Sequence, residues 1–111
     1  MKLCVLLTVL FASVASAQYK DGISIVQYSA KFVKSNEIDL KPFRSHNTFT
    51  LYLANHSQFF SEEKILYLPS IVLYENGEEI TRIESGISLK LPEDSHKVLN
   101  KHIEKLLEGK F

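Results

Sequence analysis

Cysteine is almost missing from this 111-residue chain, which has a single one at Cys4. That cysteine lies in an N-terminal stretch opened by Lys2, with an apolar run from Leu3 to Phe11 interrupted only by Thr8. The stretch closes on Ala15-Ser16-Ala17. A basic start, a short apolar centre and a small-x-small site together mark a secretory signal peptide. Residues 1–17 are therefore expected to be removed before Gln18, leaving residues 18–111 as one secreted domain rather than a resident of the endoplasmic reticulum. The run is too short to cross a hydrocarbon layer of ~30 Å. Without Cys4 the remaining chain has no thiol. Disulfides, which small secreted domains often rely on, are then excluded, as are thiol–disulfide exchange, sulfenate chemistry and thiolate metal ligation.

Charge of either sign is not in excess. Acidic and basic residues number 13 each, and loss of Lys2 leaves a net charge near −1. No basic stripe is present, so the electrostatic footprint of a nucleic-acid-binding protein is missing. No second apolar stretch is long enough for a membrane span. Repeats, low-complexity tracts and Pro/Ser-rich linkers are also lacking, which points to one domain.

What is present is organised around Ile65 to Gly86. Ile71 to Tyr74 is an apolar, β-prone run, the pattern of a strand buried on both faces. Asn76-Gly77 is a strong hairpin signal, because both residues tolerate the positive φ of a type I′ turn. Glu79 to Glu84 alternates roughly between polar and apolar, as a return strand does. Pro69 cannot donate to a ladder and so belongs at the entry to the first of these strands.

Upstream, Ile23 to Tyr28 is a strand, and Glu37 to Phe43 is expected to form a short helix capped by Ser35 or Asn36 and ended by Pro42. Thr48 to Leu53 alternates with a period of two, placing Phe49, Leu51 and Leu53 on one face. Ser57 to Lys64 is expected as a second short helix. Pro92 to Leu107 is the last, with Leu99, Ile103 and Leu106 as its apolar stripe and Gly109 to stop it. The order β-α-β-α-β-β-α implies an α/β fold: a four-stranded mixed sheet with helices on both faces.

The stretch Ile65, Leu68, Pro69, Ser70, Asn76 and Gly77 resembles the second half of a thioredoxin, where a cis-proline leads into a buried strand, an Asn-Gly turn and a return strand. The resemblance extends over most of the chain after residue 22 and implies a minimal thioredoxin-like fold. The active-site turn departs from the family. Phe32 falls where thioredoxins carry an aromatic residue, and Val33 and Asn36 fall where their two cysteines stand. Neither can carry electrons. About 11 residues separate Asn36 from Thr48, fewer than a full-length helix plus turns uses at 1.5 Å per residue. The resemblance thus implies a redox-inactive, non-catalytic domain that takes a peptide or protein partner across Phe32, Val33, Leu68 and Pro69. Leu68 would pair through its backbone with an extended segment. No cofactor, metal, nucleic acid or membrane is implied.

Other candidates have plainer explanations. Ser29 and Ser35 lie near a helix start and are the residues that a glutathione-transferase- or peroxidase-like alternative would use; capping is the simpler role. A structural secreted protein with no pocket is a third possibility. His46, His56, His96 and His102 show no ligand spacing. Asp39, Glu62, Glu63 and Glu93 single out no acid–base pair. Tyr52, Tyr67 and Tyr74 with Phe59 and Phe60 suggest a binding patch, although core positions account for most of them. Asn55-His56-Ser57 is a sequon for N-linked glycan at Asn55, expected in a loop after a strand.

Overall fold

A computed structural model describes residues 22–109. The expected signal peptide, residues 1–17, and Cys4 lie outside the described residues. Four strands make one mixed sheet in the order β2-β1-β3-β4. They are β1 (Ile23–Ser29), β2 (Asn47–Tyr52), β3 (Ser70–Glu75) and β4 (Glu78–Glu84). β1 and β2 are parallel, with Ser29 opposite Tyr52. β3 runs antiparallel to both of its neighbours.

The central pair β1 and β3 is buried along nearly its whole length. Alternate side chains therefore feed two separate cores. Ile25, Ile71 and Leu73 face one of them, with Phe43 and with Leu99 and Ile103 of α2 (Ser95–Glu108). Val26, Val72 and the two tyrosines Tyr28 and Tyr74 face the other, under Phe60 of α1 (Leu53–Glu62). Burying each such side chain stabilises the fold by about 1.5–3 kcal/mol.

The hairpin forms as its sequence predicts. Asn76 and Gly77 sit at φ 51° and 86°, so the dipeptide supplies the left-handed backbone that a two-residue turn needs. Alternation along β4 is only approximate because the register shifts beside Leu73 and Tyr74. That irregularity lets Ile80 and Ile83, three apart, pack on the same core.

The crossover from β1 to β2 differs from expectation. Residues 37–43 form no α-helix. Two 3₁₀ turns, Lys31–Asn36 and Lys41–Phe43, flank an extended segment. Gln27 supplies the reason. Its buried side-chain amide donates from Nε2 to the Ile38 carbonyl at 3.1 Å and accepts the Ile38 N–H on Oε1 at 2.9 Å. This pairing satisfies in the extended form the groups that helical bonds would otherwise satisfy. Asn36 adds a bond from Nδ2 to the Leu89 carbonyl at 2.8 Å, tying the first turn to the loop after β4.

The other two helices shift in position. α1 begins at Leu53, directly after β2, and is kinked at His56 (φ −138°, ψ 36°). Leu53 thus starts a helix instead of ending a strand. Asn55 sits in that first turn, not in a loop, and is exposed. α2 begins at Ser95, three residues after Pro92, whose carbonyl accepts bonds from the Ser95 N–H and hydroxyl.

Candidate functional site

The sheet register gathers several connections at one end. Tyr28 pairs with Ser70, Ser29 with Tyr52, and Ser70 with Glu84. β1, β2 and β4 therefore finish where β3 starts. The Ala30–Asn36 turn, the start of α1, the Ile65–Pro69 approach to β3 and the Ser85–Leu89 loop all meet the sheet at that end. Ligand crevices of open α/β sheets lie outside the carboxyl ends of the strands, and here that means β1 and β2.

The four residues singled out from the sequence are all at this end but differ in exposure. Phe32 is 70% exposed, whereas Val33 is 1% exposed and points into the protein. Leu68 is half-buried against the core under α1. Its backbone N–H and carbonyl have no hydrogen-bond partner among the described residues. Pro69 is buried, follows a cis peptide bond, and accepts the Ser85 N–H at 3.3 Å. Ser70 donates its hydroxyl to the Tyr67 carbonyl at 2.6 Å, which fixes the approach to the strand.

A cavity of about 420 Å³ opens beside the turn. Ala30, Phe32, Leu53 and Ala54 give it apolar walls, and Lys31 and Lys34 stand at its border. Asn55, the sequon residue, also lines it. Tyr52 closes one side and donates its hydroxyl to Glu37 Oε1 at 3.2 Å. Glu37 Oε2 accepts the hydroxyl of buried Ser29 at 2.8 Å. The hydrogen bond to the Glu37 carboxylate is the largest of the influences that hold the Tyr52 phenol above its ordinary pKa. Ser29 is thus a buried donor to a carboxylate, while Ser35 is exposed in the turn.

The aromatic set divides. Phe60 and Tyr74 are core residues, Phe59 is half-buried, and Tyr67 is exposed beside Pro69. The Tyr74 hydroxyl lies 2.7 Å from that of Tyr28 and donates to Glu63 Oε1 at 2.5 Å. Burial, then the bond to Glu63, push the Tyr74 phenol far above its ordinary range. His96 donates its Nε2–H to the Asp39 carbonyl, 2.6 Å away, and stacks on Phe43. No cluster of three or more metal-ligating side chains occurs among the described residues.

The sequence reading missed Leu53, Ala54, Ile87 and Leu89 at this end. Ile87 is 94% exposed. The available signal was an apolar pair in the segment between β4 and α2, to which no strand or helix pattern laid claim.

No protein-family model and no curated protein sequence matches the chain. Solved structures do match. A designed protein superposes with a TM-score of 0.61 at 16% identity, covering 86% of this chain and 90% of its own. Thioredoxin from Trypanosoma brucei brucei gives 0.59 at 12% identity, covering 87% and 85%. Thioredoxin NaTrxh from Nicotiana alata gives 0.59 at 14%, covering 86% and 85%. The fold is therefore thioredoxin-like, and identities this low speak to fold alone.

Proposed function

We propose that the protein is a secreted, non-catalytic thioredoxin-like domain that holds a peptide or protein partner at the end of the sheet where β3 begins. One observation carries the reading. Seven large apolar side chains are exposed among the described residues, and six belong to connections at that end: Phe32, Leu53, Leu66, Tyr67, Ile87 and Leu89. Only Leu107, in the last turn of α2, lies elsewhere. Concentrated exposed apolar surface is characteristic of interaction sites. Leu68 adds a free backbone donor and acceptor at the same place, the requirement for adding an extended segment. Val33 supports the turn from inside and does not itself touch a partner.

Two points favour a binding role over catalysis. The chain downstream of Cys4 has no thiol to exchange. Of the two serines that a glutathione-transferase- or peroxidase-like enzyme would use, Ser29 is buried and bonded to Glu37, and Ser35 is exposed on the 3₁₀ turn. A glutathione turnover assay before and after Ser29→Ala and Ser35→Ala separates the two readings.

Panning a displayed random-peptide library on the immobilised protein tests the binding role. Enriched peptides are expected to lose capture by Phe32→Asp and Ile87→Asp. Both positions are exposed, so both variants keep the wild-type melting temperature. Capture equal to wild type by both variants overturns the proposed surface.

A further inference from the structure

We infer that the cavity beside the Ala30–Asn36 turn binds a small amphiphilic anion: an apolar body of several carbons carrying one carboxylate or similar head. The inference goes beyond the protein partner proposed above and does not depend on it. At about 420 Å³ the cavity falls within the range of small-molecule sites, roughly 300–1,000 Å³. Its walls at Ala30, Phe32, Leu53 and Ala54 offer a hydrocarbon body nothing but apolar contact. They provide little for a sugar, a nucleotide or another polar ligand to bond.

The charge beside it has one sign. Lys31 and Lys34 are exposed at the border, and neither has an ion-pair partner among the described residues. Glu37 is the nearby acid that could oppose an anion. Both of its oxygens already accept hydroxyls, from Ser29 and Tyr52, and it does not line the cavity. Two exposed lysines without ion-pair partners among the described residues, in the lining of an apolar hollow, match a ligand that is hydrocarbon at one end and anionic at the other. The lysine stems can cover the chain while their heads meet the carboxylate. A cation of the same shape meets repulsion there, and a neutral alcohol gains only the apolar contact.

Three probes with the same ten-carbon chain test this on the intact domain by titration calorimetry below their micellar concentrations: decanoate, decanol and decylammonium. Decanoate is expected to bind one per protein, more tightly than decanol, with decylammonium weakest. The double variant Lys31→Gln/Lys34→Gln should weaken decanoate about three- to tenfold, to the level of decanol, as two exposed charge contacts allow. Ala54→Phe places a ring in the hollow from an exposed position and should abolish binding of decanoate while the melting temperature holds. Decanol binding as tightly as decanoate overturns the inference. So does retention of stoichiometric binding by Ala54→Phe, uptake of several decanoates per protein, or no binding of any probe.

Discussion

At the scale of single residues, polar side chains buried inside apolar strands decide what their neighbours do. Tyr74 is the clearest case, sitting between Tyr28 and Glu63 in a buried hydrogen-bond chain. Tyr74→Phe keeps the ring and removes the hydroxyl, which is expected to cost about 1–2 kcal/mol in chemical denaturation. The phenol also gives the fold a pH dependence. Its pKa is raised in the folded protein and lies near 10.0 in the unfolded chain. Only the unfolded state releases the proton above that pH, so the stabilisation is complete below about pH 10 and is lost as pH rises further. Between pH 9 and 11 the denaturation midpoint of wild type should fall more steeply than that of Tyr74→Phe; parallel slopes refute the assignment. Gln27 acts on backbone instead. Gln27→Leu leaves the Ile38 N–H and carbonyl without their partner, at an expected cost of about 1–3 kcal/mol, with faster hydrogen exchange at the Ile38 amide.

At the scale of elements, strands were legible and connections were not. The hairpin from Ser70 to Glu84 could be read because turn chemistry at Asn76-Gly77 and the apolar run Ile71–Tyr74 are local signals. The crossover could not, since the cap and acidic first turn around Glu37 favour a helix locally, whereas Gln27, ten residues earlier, imposes the extended form. Likewise, the sequence pattern starts α1 at Ser57, four residues after its actual start at Leu53, because Leu53 continues the alternation of β2 and nothing nearby signals the switch. The far end of α1 shows a similar tertiary decision. Arg82 of β4 donates to the Glu63 and Lys64 carbonyls at 2.8 and 3.0 Å while paired with Glu79 at 2.7 Å. It thereby satisfies carbonyls beyond the helix end, where Lys64 takes φ 54°. Arg82→Met keeps the stem and removes those donors. It should cost about 1 kcal/mol and raise hydrogen exchange at residues 63–65 more than in the core strands.

At the scale of the whole molecule, the candidate site is a product of topology. Phe32 and Leu68 could be picked out from the thioredoxin-like register of the sequence. Ile87, Leu89 and Leu53 could not, because their exposure depends on which end of the sheet each connection leaves. A fold that leaves Ile87 94% exposed while Ile25, Ile71 and Leu73 are fully buried has surface that a partner or ligand can cover. The same topology puts Asn55 on the wall of the cavity, so export and binding become linked if the sequon is used. Expression of the full 111-residue chain in a secretory eukaryotic cell tests this linkage. The product is expected in the medium, starting at Gln18, with no reaction toward a thiol reagent. It should lose mass on N-glycosidase treatment, a loss that Asn55→Gln abolishes. A glycan at Asn55 stands over the cavity, so Asn55→Gln, which carries no sugar and keeps a neutral amide, should bind decanoate more tightly than the glycosylated protein; N-glycosidase leaves an aspartate at position 55 and is used only for the mass shift. Retention in the cells with Met1 in place refutes export, and a thiol titre of one per chain refutes loss of Cys4. A glycosylated form that binds decanoate as tightly as Asn55→Gln removes the link between the sugar and the cavity while leaving the cavity itself intact.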